Sequence, residues 1–167
     1  MNLILIGYRG AGKSTVGQIL ARRLDYELLC LDAMIAQKTG MSIPALVEKY
    51  GWDRFRQLES ETLAAAAAGD RRVLDCGGGI ILQPENRARL KNIGPAIWLR
   101  ADVRTIILRL QDQEDRPSLT GASFLDEVQT VLAEREALYR EAADFTIATD
   151  GKSPEEIAAE ILDLLGR

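Results

Sequence analysis

The chain has 167 residues, 47% of them hydrophobic, which is enough for one compact domain with a real core. Its net charge of −4 and pI near 5.0 argue against general nucleic-acid binding. No run approaches the ~18 apolar residues of a membrane span, and a strand beginning at Leu3 leaves no room for a signal peptide, so a cytoplasmic location is expected.

In chain order, Leu3–Ile6 reads as a short buried parallel strand. Gly7-Tyr8-Arg9-Gly10-Ala11-Gly12-Lys13-Ser14 follows it and matches the phosphate-binding pattern G-x-x-x-x-G-K-[ST] at every fixed position. A helix is predicted from Thr15 to Leu24, with Val16, Ile19, Leu20 and Leu24 at helical spacing. Glu27–Leu31 reads as a second strand ending at Asp32, which is placed to cap a helix from Ala33 to about Gly40. Ser42 caps a helix from Ile43 to Tyr50 with Pro44 in its first turn. A longer helix runs from Asp53 to about Ala68, and Gly69 stops it.

Arg71–Asp75 is the third predicted strand, followed at once by Cys76-Gly77-Gly78-Gly79. A helix from Pro84 to Lys91 and a fourth strand over Pro95–Leu99 come next. Asp102 caps a helix through Leu110. The polar stretch from Gln111 to Thr120 carries Arg116-Pro117 and reads as a mobile loop. Phe124–Ala142 is a long amphipathic helix and Phe145–Ala148 a fifth strand. Ser153-Pro154-Glu155-Glu156 is a capping box opening a final helix to Leu165. Alternating strands and helices predict an α/β fold of three layers, a parallel sheet covered on both faces. Ligands in such sheets sit beyond the carboxyl ends of the strands, where the Gly7 loop, Asp32, Asp75 and Gly77–Gly79 all lie.

The residue types in the glycine loop follow from the chemistry of phosphate. Glycines let successive backbone N–H groups point inward as an anion nest, and the next helix aims its positive end at the same place. Lys13 adds a point charge for the β- and γ-phosphates, and the Ser14 hydroxyl is a hard oxygen ligand suited to Mg²⁺. With no histidine in the chain, proton transfer falls to a carboxylate, a lysine or water. Cys30 and Cys76 fit neither a disulfide framework nor a zinc site and read as reduced thiols. Neighbouring strand ends could still bring them close enough for a redox-sensitive bridge.

The glycine loop together with Cys30-Leu31-Asp32, Phe55-Arg56-Gln57-Leu58-Glu59, Gly77-Gly78-Gly79, Arg116-Pro117-Ser118-Leu119-Thr120 and Arg135-Glu136-Ala137-Leu138-Tyr139-Arg140 resembles the shikimate kinase family over essentially the whole chain. The resemblance implies one domain over residues 1–167 with a nucleoside-monophosphate-kinase-like P-loop fold and a five-stranded parallel sheet. It divides into a cradle at 7–14, a substrate-binding helical segment at about 32–61 and a mobile lid at about 111–122. The activity implied is transfer of the ATP γ-phosphoryl group to the 3-hydroxyl of shikimate, in chorismate and aromatic amino-acid biosynthesis, by a cytoplasmic monomer using Mg²⁺.

By the same resemblance, Gly10, Ala11, Gly12, Lys13, Ser14 and Thr15 hold ATP, while Arg109 and Lys152, with Pro154, flank the adenine. Arg56 and Arg135 hold the substrate carboxylate, which a guanidinium fork binds bidentately. Asp32 orients or deprotonates the attacking hydroxyl, and Gly77, Gly78 and Gly79 border the substrate. Glu59 braces Arg56. Lys13, Asp32 and Arg116 are the catalytic set, Arg116 offsetting charge in the transition state. On the residues alone, Arg56–Glu59 also reads as an exposed helix pair, Arg135 as part of a solvated face, Asp32 as a cap, and Gly77–Gly79 as a turn.

One position departs from the family pattern. The resemblance implies Asp-x-Asp at the end of the second strand, its first aspartate serving the Mg²⁺ hydration shell. Here Cys30 stands there, and a neutral thiol is a poor partner for a hard cation. Asp75, at the end of the third strand, is the expected substitute in the outer shell, unless it only caps the Gly77 loop. Two other functions fit the cradle: a kinase for another small polyol acid, of the gluconate kinase type, and a nucleotide-binding module without turnover.

Overall fold

The computed structural model describes residues 1–111 and 123–167. Five strands form one sheet: β1 (Leu3–Ile6), β2 (Glu27–Cys30), β3 (Arg72–Asp75), β4 (Ala96–Arg100) and β5 (Phe145–Ala148). Their order is β2-β3-β1-β4-β5, and every neighbouring pair is parallel. Seven helices connect and cover them among the described residues: α1 (Lys13–Leu24), α2 (Leu31–Thr39), α3 (Ile43–Ala67), α4 (Pro84–Ile93), α5 (Val103–Leu110), α6 (Phe124–Ala142) and α7 (Pro154–Leu164).

The two-residue period of a strand builds both layers. Leu3 and Leu5 of β1 face α1 and α7, packing with Val16, Leu20, Ile157 and Ile161. Ile4 and Ile6 face the other way, toward Leu63 of α3, Leu90 of α4 and Tyr139 of α6. All four β1 side chains are fully buried, which is why the strand reads as an unbroken apolar run.

Helix starts follow their caps. Ser42, Asp102 and Ser153 accept from the backbone N–H groups of Ala45, Thr105 and Glu156, and the last forms a reciprocal box with the Glu156 side chain. Strand and helix ends shift by a residue or two from the sequence reading, and three of the shifts have a clear physical cause. The first helix opens at Lys13 rather than Thr15, because Gly12, at φ 94°, turns the chain directly into it. Asp32 is not a cap. Cys30 occupies the N-cap position, and Asp32 lies inside the first turn of α2. Starting two residues earlier buries Leu31 against the sheet, and apolar burial outweighs a side-chain cap worth ~1 kcal/mol. Arg71 is outside β3 because its φ of 57° is left-handed.

The two helices expected over 43–68 form one element broken at Gly51, whose φ of 84° and ψ of 169° are not helical. Around the break lies a separate apolar cluster of Ile35, Ile43, Leu46, Val47, Phe55 and Leu58. The segment carrying Asp32 and Arg56 thus has a small core of its own, while Leu63 and Ala66 tie the end of α3 to the sheet.

Gly7 fixes where the cradle leaves β1. Its φ is 146°, and a Cβ there would sit 2.6 Å from the Leu99 carbonyl oxygen of β4. Replacing Gly7 by Ala therefore adds backbone strain and a clash that neither strand can relieve. A loss of ~2 kcal/mol or more is expected, a fall in Tm of about 4–8 °C by thermal unfolding.

Candidate active site

A cavity of about 610 Å³ opens beyond the carboxyl ends of β1, β2 and β3. Gly10, Gly12, Lys13, Ser14 and Thr15 line one side of it, and Asp32, Asp75, Gly77 and Gly78 line the other. Arg9, Cys30, Ser42, Ile43, Pro44 and Leu110 complete the wall. The sheet order explains the gathering: β3 lies between β1 and β2, so residues distant in sequence end side by side.

The glycine loop is held from within. Lys13 Nζ donates to the carbonyl oxygens of Gly7 at 2.7 Å and Tyr8 at 3.1 Å. Gly10 and Gly12 have φ of 80° and 94°, turning their amides where residues with a Cβ rarely go. Ala11 is buried and its N–H donates to Tyr8 O at 3.1 Å. From α5, Arg109 donates to Gly10 O at 3.0 Å, and to Thr149 Oγ1 at 3.4 Å.

Ser14 Oγ donates to Asp75 Oδ2 at 2.5 Å. Cys30 stands opposite Asp75 in the β2–β3 register, and its thiol is hydrogen-bonded to the same carboxylate. Burial, aided by Asp75, pushes the Cys30 thiol up, and burial does the same to the fully enclosed Cys76. Both cysteines are free. Among the described residues no group of three or more His, Cys, Asp or Glu is placed to hold a metal. The hydroxyl and carboxylate oxygens of Ser14 and Asp75 nonetheless suit Mg²⁺, which keeps several waters and takes few protein ligands.

The second half of the site is organised by the three glycines. A Cβ at Gly77 would lie 2.7 Å from Glu59 Oε2 and 2.9 Å from Asp32 Oδ1. At Gly78 it would meet Arg135 Nη1 at 3.6 Å, and at Gly79 it would overlap the Arg56 guanidinium. Arg56 and Arg135 therefore converge on one loop from α3 and α6. Both are buried, at 9% and 7% exposure, so neither belongs to a solvated helix face. Arg56 Nη1 pairs with Glu59 Oε1 at 2.5 Å, and its guanidinium packs against Trp52 and Phe55. Burial pushes the Glu59 carboxyl up, against the pull of Arg56 and Arg135.

Tyr139 is a site-forming residue that sequence reasoning quoted without giving it a role. Its hydroxyl donates to Gly78 O at 2.5 Å and is hydrogen-bonded to Arg135, and its ring stacks on Trp98. Burial pushes its phenol up to about 12, so it stays a donor. The signal was its place four residues after Arg135, on the same face of α6. Two residues expected beside the adenine have partners within the protein. Arg109 is occupied with the loop backbone, and Lys152 Nζ pairs with Glu160 of α7 at 2.6 Å; neither lines the cavity. Arg116 and the expected lid from residue 112 on lie outside the described residues.

A family model described as shikimate kinase matches residues 9–166. The chain belongs to the shikimate kinase family. It is 43% identical over 166 residues to shikimate kinase 2 of Enterobacter sp. (strain 638), covering 98% of this chain and 94% of that one. It is 39% identical to a shikimate kinase of Geobacter sulfurreducens, covering 96% and 88%. Among solved structures, a shikimate kinase from Acinetobacter baumannii in complex with shikimate superposes with a TM-score of 0.94 at 37% identity, covering 98% of this chain and 92% of that one. A gluconokinase from Sinorhizobium meliloti, at 16% identity and a TM-score of 0.58 over 99% and 91% of the two chains, shares the fold alone.

The raised thiols make a direct check possible, because the thiolate is the reactive form. In native protein at pH 8, Cys76 should not react with a disulfide reagent, and Cys30 should react more slowly than a free thiol. Denaturation should release both thiols equally with and without reductant. Two fast native thiols, or a titre that rises on reduction, would contradict the arrangement.

Proposed function

We propose that this protein transfers the γ-phosphoryl group of ATP to the 3-hydroxyl of shikimate, as one cytoplasmic, monomeric domain that uses Mg²⁺. The observation carrying this reading is the glycine loop after β3. It brings Arg56, Arg135 and Asp32 together beside the Lys13–Ser14 cradle.

Each residue then has a task set by its position. The triphosphate lies in the cradle from Gly10 to Thr15, against the N-terminus of α1. Lys13 exchanges its bonds to Gly7 and Tyr8 for phosphate oxygens. Shikimate lies between the α2–α3 segment and Gly77–Gly79, its carboxylate taken by the guanidinium forks of Arg56 and Arg135. Glu59 and the Trp52 and Phe55 rings hold Arg56 in place, and Tyr139 holds Arg135. The absence of side chains at Gly77–Gly79 leaves the backbone free to approach the ring. Asp32 accepts the proton of the attacking hydroxyl.

Ser14 and Asp75 are the residues that would hold Mg²⁺. Because the Ser14 hydroxyl donates to Asp75, its lone pairs are left for a cation, and Asp75 serves the outer shell. The ion, when bound, neutralises charge on the transferring phosphates. Arg109 acts on the nucleotide through the Gly10 carbonyl rather than by covering the base.

A coupled assay for ADP separates the readings. Release stimulated by shikimate is expected; stimulation only by another polyol acid, or ATP binding without turnover, would replace this assignment. Arg135→Lys keeps the charge but loses the fork and should raise the KM for shikimate by about 10–100-fold, a loss of one charged hydrogen bond, with ATP binding unchanged. Arg56→Ala should do the same and also lower Tm, because Glu59 is left buried without its partner.

Asp75→Asn should raise the Mg²⁺ concentration needed for half-maximal ATP binding by about 10–100-fold. An unchanged Mg²⁺ dependence by calorimetry would remove Asp75 from the metal site.

A further inference from the structure

Beneath Gly77, two carboxylates from different elements border one atom-sized gap. Asp32 Oδ1 arrives from the first turn of α2, Glu59 Oε2 from α3, and a methyl group on Gly77 would touch both. Glu59 is 1% exposed. Its Oε1 meets Arg56, yet its Oε2 has no hydrogen-bond partner among the described residues. A carboxylate serving only to brace a guanidinium would offer both oxygens to the fork. This one turns the second oxygen away, toward Asp32.

Among the described residues, four charged or titratable groups face Glu59. Arg56 comes from its own helix, Arg135 from α6, Asp32 from α2, and the Cys76 thiol from the end of β3 feels its charge. Two guanidiniums thus keep company with two carboxylates, Glu59 buried and Asp32 on the wall of the cavity. Like charges held so close do not ionise independently.

We infer that Glu59 is a positioning residue for proton transfer: its charge sets the basicity of Asp32, and the two carboxylates together receive the proton of the attacking hydroxyl. This rests on the phosphoryl-transfer reading above. An isolated aspartate, with a pKa of about 3.9, is a weak base toward an alcohol. A second negative charge nearby raises its proton affinity without adding another contact to substrate. In the step itself, the hydroxyl oxygen bonds to the γ-phosphorus as the bond from that phosphorus to the β–γ bridging oxygen breaks. ADP leaves with the electron pair. The hydroxyl proton passes to the Asp32–Glu59 pair, whose net charge becomes less negative by one, and goes to solvent when products leave.

The test separates this role from a purely structural one and does not depend on turnover. In ligand-free protein, the Asp32 carboxyl is titrated by ¹³C NMR in the native chain and in Glu59→Gln. The glutamine keeps an acceptor for Arg56 but presents no charge to Asp32. The Asp32 titration should move to lower pH by about one unit. In the coupled assay, kcat should fall and the acid limb of its pH profile should move the same way, with the KM for shikimate changed less than about threefold. A simple brace predicts the opposite split: a raised KM, with the Asp32 titration and the acid limb unmoved. That result would overturn the inference while leaving the kinase reading intact. If Glu59→Gln does not fold, the native chain carries the test: the Asp32 carboxyl signal should show two inflections, one of them following the Glu59 titration, and a single Asp32 step indifferent to Glu59 overturns the inference.

Discussion

Three successive glycines at the end of β3 are the constraint on which the rest of the site depends. Two buried arginines and two carboxylates gather at this one stretch of backbone, and a side chain at Gly77 or Gly79 would displace one of them. Burying such charges is costly unless they are paired and hydrogen-bonded. The pairing is supplied around the loop: Glu59 on Arg56, Tyr139 on Arg135, and the Tyr139 hydroxyl on the Gly78 carbonyl.

The parallel order of the strands does the complementary work for phosphate. With β3 between β1 and β2, the hydroxyl of the cradle serine, the carboxylate ending β3 and the thiol ending β2 fall in a row. Asp75 stands on the strand beside β1, within hydrogen-bonding reach of Ser14. Cys30 is one strand further out, and its thiol answers to Asp75 rather than facing the cradle as a charge. The departure at Cys30 and the carboxylate at Asp75 belong to one local electrostatic arrangement.

Much of this was legible because it rests on periodicities and caps. The alternation of strands and helices, the glycine loop, the capping serines and the aspartate before α5 are local patterns, and local hydrogen bonds fix them. The gathering of residues was readable where a motif carried a chemical necessity: Lys13 and Ser14 line the cavity, and Arg56 and Arg135 meet at the three glycines. Reading failed where tertiary packing decides. Asp32 reads as a cap because aspartates before helices usually are, yet burial of Leu31 starts the helix earlier. Tyr139 is quoted in a motif without a role, and its hydroxyl reaches a backbone carbonyl sixty-one residues away in sequence. No local pattern announces a contact of that kind.

The break at Gly51 and the apolar cluster around it have a bearing on how such a scaffold diversifies. Ile35, Ile43, Leu46, Val47, Phe55 and Leu58 stabilise one another without borrowing from the sheet. An insert that supplies its own packing can be lengthened, shortened or exchanged as a cassette while the phosphate machinery stays as it is. The packing of the insert and that of the phosphate cradle are thereby separable properties, open to drift at different rates within one chain.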